Sequence, residues 1–275
     1  MDIIVPIKQV PETSNVKMDP ETGTMIRDGV GTVVNPLDLY AIETALRLKE
    51  AHGGIVTALT MGPSPAVKAL REAIAMGCDE AVFISDRSFG GADSWATSYT
   101  IAQAIKQAGR YDLIICGERA TDGDTGQVGP GIAAWLDLPL ATYVASVTTL
   151  PGADAPVGLS VERLVEEGYQ ILELPLPALL TVVKEIGSPR LPTLRGKKRA
   201  KVTEIPLFNA QNLELDPAFI GLKGSPTKVV KVATPKVMRS GTVVRAHDEA
   251  EIALAVDRLL AFLDERGLLP RGDRP

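Results

Sequence analysis

The sequence predicts an α/β fold: a Rossmann-like parallel sheet flanked by helices, with an added antiparallel hairpin and a C-terminal arm that ends in a helix. Three observations predict it. Short apolar runs alternate with helical periods over residues 3–116, a glycine-rich polar loop follows the last of these runs, and from about Thr142 the pattern changes to period-two alternation around a turn. A chain of 275 residues forms one large domain or a domain with an appended lobe, and its 45% hydrophobic content suits an ordinary core.

Residues 3–10 read as the first strand, and residues 16–26 as a small hairpin turning at Asp19-Pro20-Glu21-Thr22-Gly23. Leu37, Tyr40, Ala41, Thr44, Ala45 and Leu48 then share one helical face, with Asn35 placed as N-cap, Pro36 at the first helical position and Gly53-Gly54 as the stop. Residues 55–61 form a strand, and a helix carrying Val67, Leu70 and Ile74 closes at Gly77. Residues 81–84 form a strand, Asp93 or Ser94 caps a helix that reaches about Ala108, and residues 111–116 are a continuous apolar strand. Such a βαβ series builds a parallel sheet.

Past Thr142, residues 159–165 and 169–174 alternate around Glu166-Glu167-Gly168 as an antiparallel hairpin, and residues 179–183 add a strand. Beyond Lys184 prolines and basic residues accumulate and periodicity disappears until a helix carrying Ile252, Ala255, Val256, Leu259, Leu260 and Leu263. The division expected is an α/β nucleotide-binding domain over residues 1–185, followed over 186–275 by a partner-docking loop, an extended arm and the C-terminal helix. Residues 228–232 and 242–244 have strand character without a neighbour in sequence, so they are expected to pair with another chain or with the main sheet.

Several function classes are excluded. No stretch is apolar enough to cross a bilayer, and the start Met1-Asp2-Ile3 lacks a basic signal, so a cytoplasmic protein is expected. Cys78 and Cys116 lack metal-site spacing and read as buried free thiols, while the two histidines, His52 and His247, have no nucleophile or metal partner near them in sequence. A net charge of −5 argues against nucleic-acid binding. The basic run Arg195-Gly196-Lys197-Lys198-Arg199-Ala200-Lys201 is the exception; beside Leu194 it reads as a docking surface, the plainer reading being a solvated loop.

Ligands of a doubly wound sheet bind outside the carboxyl ends of its strands. Pro6, Ile7 and Lys8 reach that edge, as does Met61, and Asn35, Pro36, Leu37 and Asp38 start a helix there. The fullest contribution is the loop Gly117, Glu118, Arg119, Ala120, Thr121, Asp122, Gly123, Asp124, Thr125, Gly126, Gln127 and Val128, whose glycines let backbone amides approach phosphate. Singly, Asn35 is a helix cap, Met61 a core filler and Asp122 with Asp124 a turn; together the four segments make an adenine-nucleotide site. A helix-start charge interaction contributes only about 0.3–1 kcal/mol, so backbone hydrogen bonds from the loop must supply much of the rest. Neither a Gly-x-Gly-x-x-Gly fingerprint after the first strand nor a phosphate-loop lysine is present, which argues against ordinary dehydrogenases and ATPases, and metal binding ranks below nucleotide binding.

This loop, with Asn35-Pro36-Leu37-Asp38 and Leu191-Pro192-Thr193-Leu194-Arg195-Gly196, resembles the beta subunit of electron transfer flavoproteins. The similarity runs from Val5-Pro6-Ile7-Lys8-Gln9-Val10 to Val243 and Val244, nearly the whole chain. It implies a heterodimer with an alpha subunit carrying redox-active FAD, and no catalytic side chain, the chain being redox-active only inside a flavoprotein complex. The segment Asp122-Gly123-Asp124-Thr125-Gly126-Gln127-Val128-Gly129-Pro130 resembles the electron-bifurcating type, which binds a second FAD, takes electrons from NADH, and passes them to the alpha-subunit FAD and to ferredoxin or flavodoxin. The alternative is the housekeeping type, with structural AMP and acyl-CoA dehydrogenase partners; a quinone reductase is a further possible partner. Leu194 matches the family's anchoring leucine, with Arg195, Lys197 and Lys198 beside it to steer acidic partners. A third reading, a stand-alone nucleotide-binding domain or an adenine-nucleotide hydrolase, sits poorly with the long basic arm.

Overall fold

The apolar runs form strands buried on both faces. In the computed structural model, which describes residues 1–12, 31–153, 155–230 and 243–269, β1 (Ile3–Pro6) and β2 (Gln9–Pro11) are followed by β3 (Thr32–Val34) and α1 (Pro36–His52). Next come β4 (Val56–Met61), α2 (Val67–Met76), β5 (Glu80–Ile84), α3 (Ser94–Ala108), β6 (Leu113–Gly117) and α4 (Val128–Leu136). The chain continues through β7 (Leu140–Leu150), β8 (Gly158–Val165), β9 (Gly168–Pro175), β10 (Ala178–Val182), α5 (Leu194–Val202), β11 (Leu207–Phe208) and α6 (Glu249–Glu265). Residues 1–232 and 233–275 are separate compact units.

The main sheet has nine strands in the order β11-β5-β4-β1-β6-β10-β7-β8-β9, parallel from β11 through β7 and antiparallel beyond. Alternate strand residues face opposite sides, as the pleat requires. Ile3, Val5, Leu113 and Ile115 pack with Ile42, Leu46, Leu70 and Ile74 of α1 and α2. Ile4 and Ile114 pack with Ile101, Ile105 and Ile132 of α3 and α4 on the other face. The expected α/β layering and the hairpin β8–β9 are both present.

Three expectations change, and one lies outside the described residues. The run 3–10 is not one strand: β1 ends at Pro6, and β2 leaves to pair antiparallel with β3. The hairpin proposed for 16–26 lies outside the described residues. Residues after 186 are not irregular up to the last helix, since α5 and β11 form there, the latter as a parallel edge strand on β5. Of the two unpartnered stretches, 228–230 and 243–244 are described and exposed, without strand structure; the remaining residues lie outside the description. The expected terminal helix is present as α6, with Ile252, Leu259, Leu260 and Phe262 exposed in its unit. Among the described residues no helix is long and apolar enough to cross a membrane.

Candidate functional site

The strand order reverses at β1: the chain steps outward from it through β4 and β5, then crosses back to place β6 on its other side. The carboxyl ends of β1 and β6 therefore part at a switch point, where open α/β sheets bind ligands. Pro6 and Ile7 are buried there, Lys8 is exposed, and half-buried Met61 ends β4 next door. Thr60 Oγ1 donates to the Ile7 carbonyl at 2.7 Å and ties these two strand ends together.

Asn35 occupies the N-cap position of α1 but makes no side-chain cap, contrary to the expectation. It is fully buried below the 117–128 loop, whose own backbone groups need partners, and its amide serves them instead. Asn35 Nδ2 donates to the Arg119 carbonyl and to Asp38 Oδ1, both at 2.9 Å, and Asn35 Oδ1 accepts the Thr121 N–H at 3.2 Å. Asp38 Oδ2 accepts the Lys8 N–H at 2.7 Å. Burial pushes the Asp38 carboxyl up from 3.8 to about 7, against the opposing hydrogen bonds from Asn35, Lys8 and Gly117 and the Lys8 charge. Gly117 has no room for a side chain: a Cβ would collide with Asp38 Oδ1 and lie 2.8 Å from the Leu37 carbonyl carbon.

Beyond Thr121 the loop turns on itself and is exposed. The N–H groups of Gly123 and Asp124 donate to the Ala120 carbonyl at 3.3 and 2.8 Å, and Asp124 and Gly126 take left-handed φ values of 55° and 61°. Lys8 Nζ pairs with Asp122 at 2.6 Å, and Arg119 pairs with Asp124 at 3.3 Å and with Glu118 at 3.5 Å. Ser94 Oγ, at the start of α3, donates to Thr125 Oγ1 at 3.2 Å. Gln127 precedes α4 without a side-chain cap, so the amides of the first helical turn have no capping partner from it. Side chains at Gly123 and Gly126 would meet little, the nearest atoms being Lys8 Nζ at 3.9 Å and the Glu118 carbonyl at 3.5 Å.

This arrangement can cradle a polyanion. Two half-exposed cations, Lys8 and Arg119, are held on loop aspartates and can turn to phosphate, and the open glycine positions leave the backbone accessible. His52 ends α1, away from this loop, and contacts Thr149 Oγ1 at 3.1 Å, while the buried Cys116 thiol is pushed well above its usual range by burial and by Asp38. Cys78 is likewise buried and free, its thiol pushed up to about 12 by burial and by Asp79.

Leu194, Arg195, Lys197 and Lys198 lie elsewhere, on helix α5 rather than in a loop. Thr193 caps that helix by accepting the Gly196 N–H at 2.9 Å, and Gly196 sits so close to the Ala75 carbonyl that no side chain fits. Arg199 donates to the carbonyls of Ile74 (2.9 Å) and Cys78 at the end of α2, while Arg71 of α2 donates to Ala200 and Thr203 at the end of α5. Each helix thus closes the other's C-terminus with an arginine. Because α2 starts after β4 and ends before β5, its C-terminus lies at the amino edge of the sheet, opposite the 117–128 loop. Leu191 and Leu194 are 84% and 81% exposed there. Arg190 forks onto Glu43 of α1 at 2.7 Å and reaches Glu50.

Sequence reasoning offered Ser94 only as a possible helix cap, a role Asp93 takes by accepting the Ala96 N–H, and it missed the Ser94 contact with Thr125, the Glu43–Arg190 pair and the reciprocal arginines, all of which depend on which elements neighbour one another. Ser94 had a signal, since the connection from β5 to α3 reaches the same edge as the loop.

A family profile described as "Electron transfer flavoprotein domain" matches residues 22–210. The chain is 46% identical to the electron transfer flavoprotein subunit beta of Thermoanaerobacterium thermosaccharolyticum, over 94% of this chain and 98% of that protein. It is 43% identical to the caffeyl-CoA reductase-Etf complex subunit CarD of Acetobacterium woodii, over 92% of this chain and 95% of that protein. Protein FixA of Azotobacter vinelandii is 41% identical, over 93% and 94% respectively.

Proposed function

This chain belongs to the electron transfer flavoprotein beta subunit family, and from that premise we propose that it holds FAD at residues 117–128 and passes electrons from NADH, by flavin-based bifurcation, to the FAD of an alpha subunit and to ferredoxin or flavodoxin. The observation that carries the reading is the loop's open face at the switch point: Gly123 and Gly126 leave room over the backbone, with Lys8 and Arg119 alongside. An adenine ring and ribose at the edge of β1 and β4 would bring the diphosphate over the loop and α4, with Asp122, Thr125 and Gln127 placed to position phosphate, ribitol or flavin. Lys8 and Arg119 would leave Asp122 and Asp124 to neutralise the diphosphate.

When bound, the flavin supplies the hydride acceptance and the one-electron transfers, and the chain contributes binding, orientation and charge. The chain has only two histidines, which suits that division of labour. The Acetobacterium woodii relative, named as a subunit of a caffeyl-CoA reductase-Etf complex, supports a partner that acts on a CoA thioester; we read it as an acyl-CoA dehydrogenase, with a quinone reductase as the alternative. Exposed Leu194, with Arg195, Lys197 and Lys198 beside it on α5, is the surface for that contact.

Co-expression with the alpha subunit tests this. Two FAD per heterodimer and flavin bleaching by NADH are expected; one FAD with one AMP, inert to NADH, would replace the reading with that of a housekeeping carrier.

A further inference from the structure

Asn35 and Asp38 lie beneath the loop, not in its mouth, and both are buried. Their hydrogen bonds have one consistent direction. The Lys8 N–H donates to Asp38 Oδ2, so that oxygen must accept. Asn35 Nδ2 donates to Asp38 Oδ1 and to the Arg119 carbonyl, while Asn35 Oδ1 accepts the Thr121 N–H. Turned over, the Asn35 amide would set its NH₂ against the Thr121 N–H and its oxygen against the Arg119 carbonyl. Its single allowed orientation needs an acceptor at Asp38 Oδ1. Position 38 must therefore accept at both oxygens, which a carboxylate does best; a carboxamide presents a donor to one of them, and a protonated carboxyl must turn its O–H away from the incoming donor and keeps there only a weaker acceptor.

We propose that Asp38 is a positioning residue of the nucleotide site, whose ionised carboxylate fixes the Asn35 amide and, through it, holds Arg119 and Thr121 in the shape that binds nucleotide. The inference rests on residues 117–128 being the nucleotide site, and not on which nucleotide occupies it.

The surroundings leave Asp38 free to respond to pH. Around it are the Lys8 amide and ammonium from the end of β1, Asn35 on its own helix, the Gly117 N–H and the neutral Cys116 thiol from β6. The loop's charges are occupied with one another: Lys8 with Asp122, Arg119 with Glu118 and Asp124. Among the described residues none forms a salt bridge to Asp38. With Asp38 still buried, the hydrogen bonds from Asn35, Lys8 and Gly117 favour its ionised form, so with the carboxyl at about 7 the shape they hold prevails above that pH and is lost as pH falls through it, even though the raised value makes protonation favour the folded domain as a whole.

The test uses the heterodimer with its alpha subunit, stripped of nucleotide at the beta site and titrated separately with FAD and AMP between about pH 6 and about pH 8. Wild-type affinity for FAD is expected to fall by up to about tenfold per pH unit below neutrality. Asp38→Asn, which keeps the volume, is expected to bind both nucleotides roughly tenfold more weakly at the upper pH, to lose the pH dependence, and to expose the Thr121 amide to faster hydrogen exchange. An Asp38→Asn protein with wild-type affinity and profile would overturn the proposal. So would a flat wild-type FAD profile, which decides the matter if the variant fails to assemble. The FAD diphosphate does not titrate in this range, whereas the AMP phosphate does. If the wild type binds AMP but not FAD, the FAD reading fails alone, and the difference between variant and wild type with AMP decides the role of Asp38. Binding of neither overturns both.

Discussion

The 117–128 loop and helix α5 hang from opposite edges of one sheet and are held by opposite means. At the carboxyl edge, Asp38 and Asn35 fix the loop through directed hydrogen bonds, with no cation paired to the buried carboxylate among the described residues. At the amino edge, arginines hold α5 and the segment before it: Arg71 and Arg199 at helix ends, Arg190 on Glu43. The two buried carboxylates stand on the same helix, α1. Burial pushes Asp38 up to about 7. Burial also works upward on Glu43, but bonds from Arg190 and Arg47 outweigh it and hold that carboxyl below 4.5. The loop is thus tied through a group that can change charge near neutrality, and the segment before α5 through one that stays charged.

The strongest test of this separation is Gly117→Ala. The added methyl collides with Asp38 Oδ1 and the Leu37 backbone, an overpacking that costs about 1–3 kcal/mol where backbone must shift. Nucleotide counted per heterodimer should fall sharply while amide protection over 197–203 is kept; simultaneous loss of both would mean the edges are not independent. The reverse experiment is Arg199→Ala, which removes the side-chain donor serving the Ile74 and Cys78 carbonyls. Losing such charged hydrogen bonds destabilises by about 1–3 kcal/mol, so α5 amides should exchange faster with nucleotide content unchanged.

The same contrast explains what could be read from the sequence. Strands β1, β4, β5 and β6 and helices α1 to α3 announce themselves through runs of Ile, Leu and Val and through glycine stops, and the loop announces itself through glycines placed after an apolar run. Those are local signals. Helix α5 was invisible because Arg195, Lys197, Lys198 and Lys201 give it no apolar stripe; it forms because Thr193, Arg199 and Arg71 satisfy its ends against α2. Asn35 was legible in place but not in role, since its partners Arg119 and Thr121 stand 84 and 86 residues further along the chain and meet it only once β6 lies beside β1.

Two smaller perturbations act, one on each edge, without disturbing its frame. Leu194→Ala should slow electron transfer to an acyl-CoA dehydrogenase by about tenfold, because a fully buried leucine contributes roughly 1.5–3 kcal/mol and alanine keeps part of it. Flavin content should not change, and full activity would remove Leu194 from the contact. At the other edge, Gly126→Leu places a side chain over the loop at a φ of 61°, which costs a non-glycine residue about 1–2 kcal/mol. It should expel FAD while sparing AMP; unchanged flavin would move the isoalloxazine half away from Gly126.

The smallest effect separates the two carboxylates directly. Lowering pH from about 8 to about 6 crosses the range in which Asp38 takes up a proton: because its folded value is raised, protonation favours the folded domain as a whole by at most about 1.4 kcal/mol per pH unit, while it weakens the acceptor that fixes the Asn35 amide locally. Glu43 runs the other way: its folded value is depressed, so its contribution is complete above 4.5 and disappears only as pH falls through the lower folded value. Hydrogen exchange corrected for intrinsic rate should therefore show the Thr121 amide loosening across this interval while the Arg190 amide, which donates to Glu43, stays protected. Equal loosening at both positions would mean that acid acts on the whole domain and that the two edges share one response.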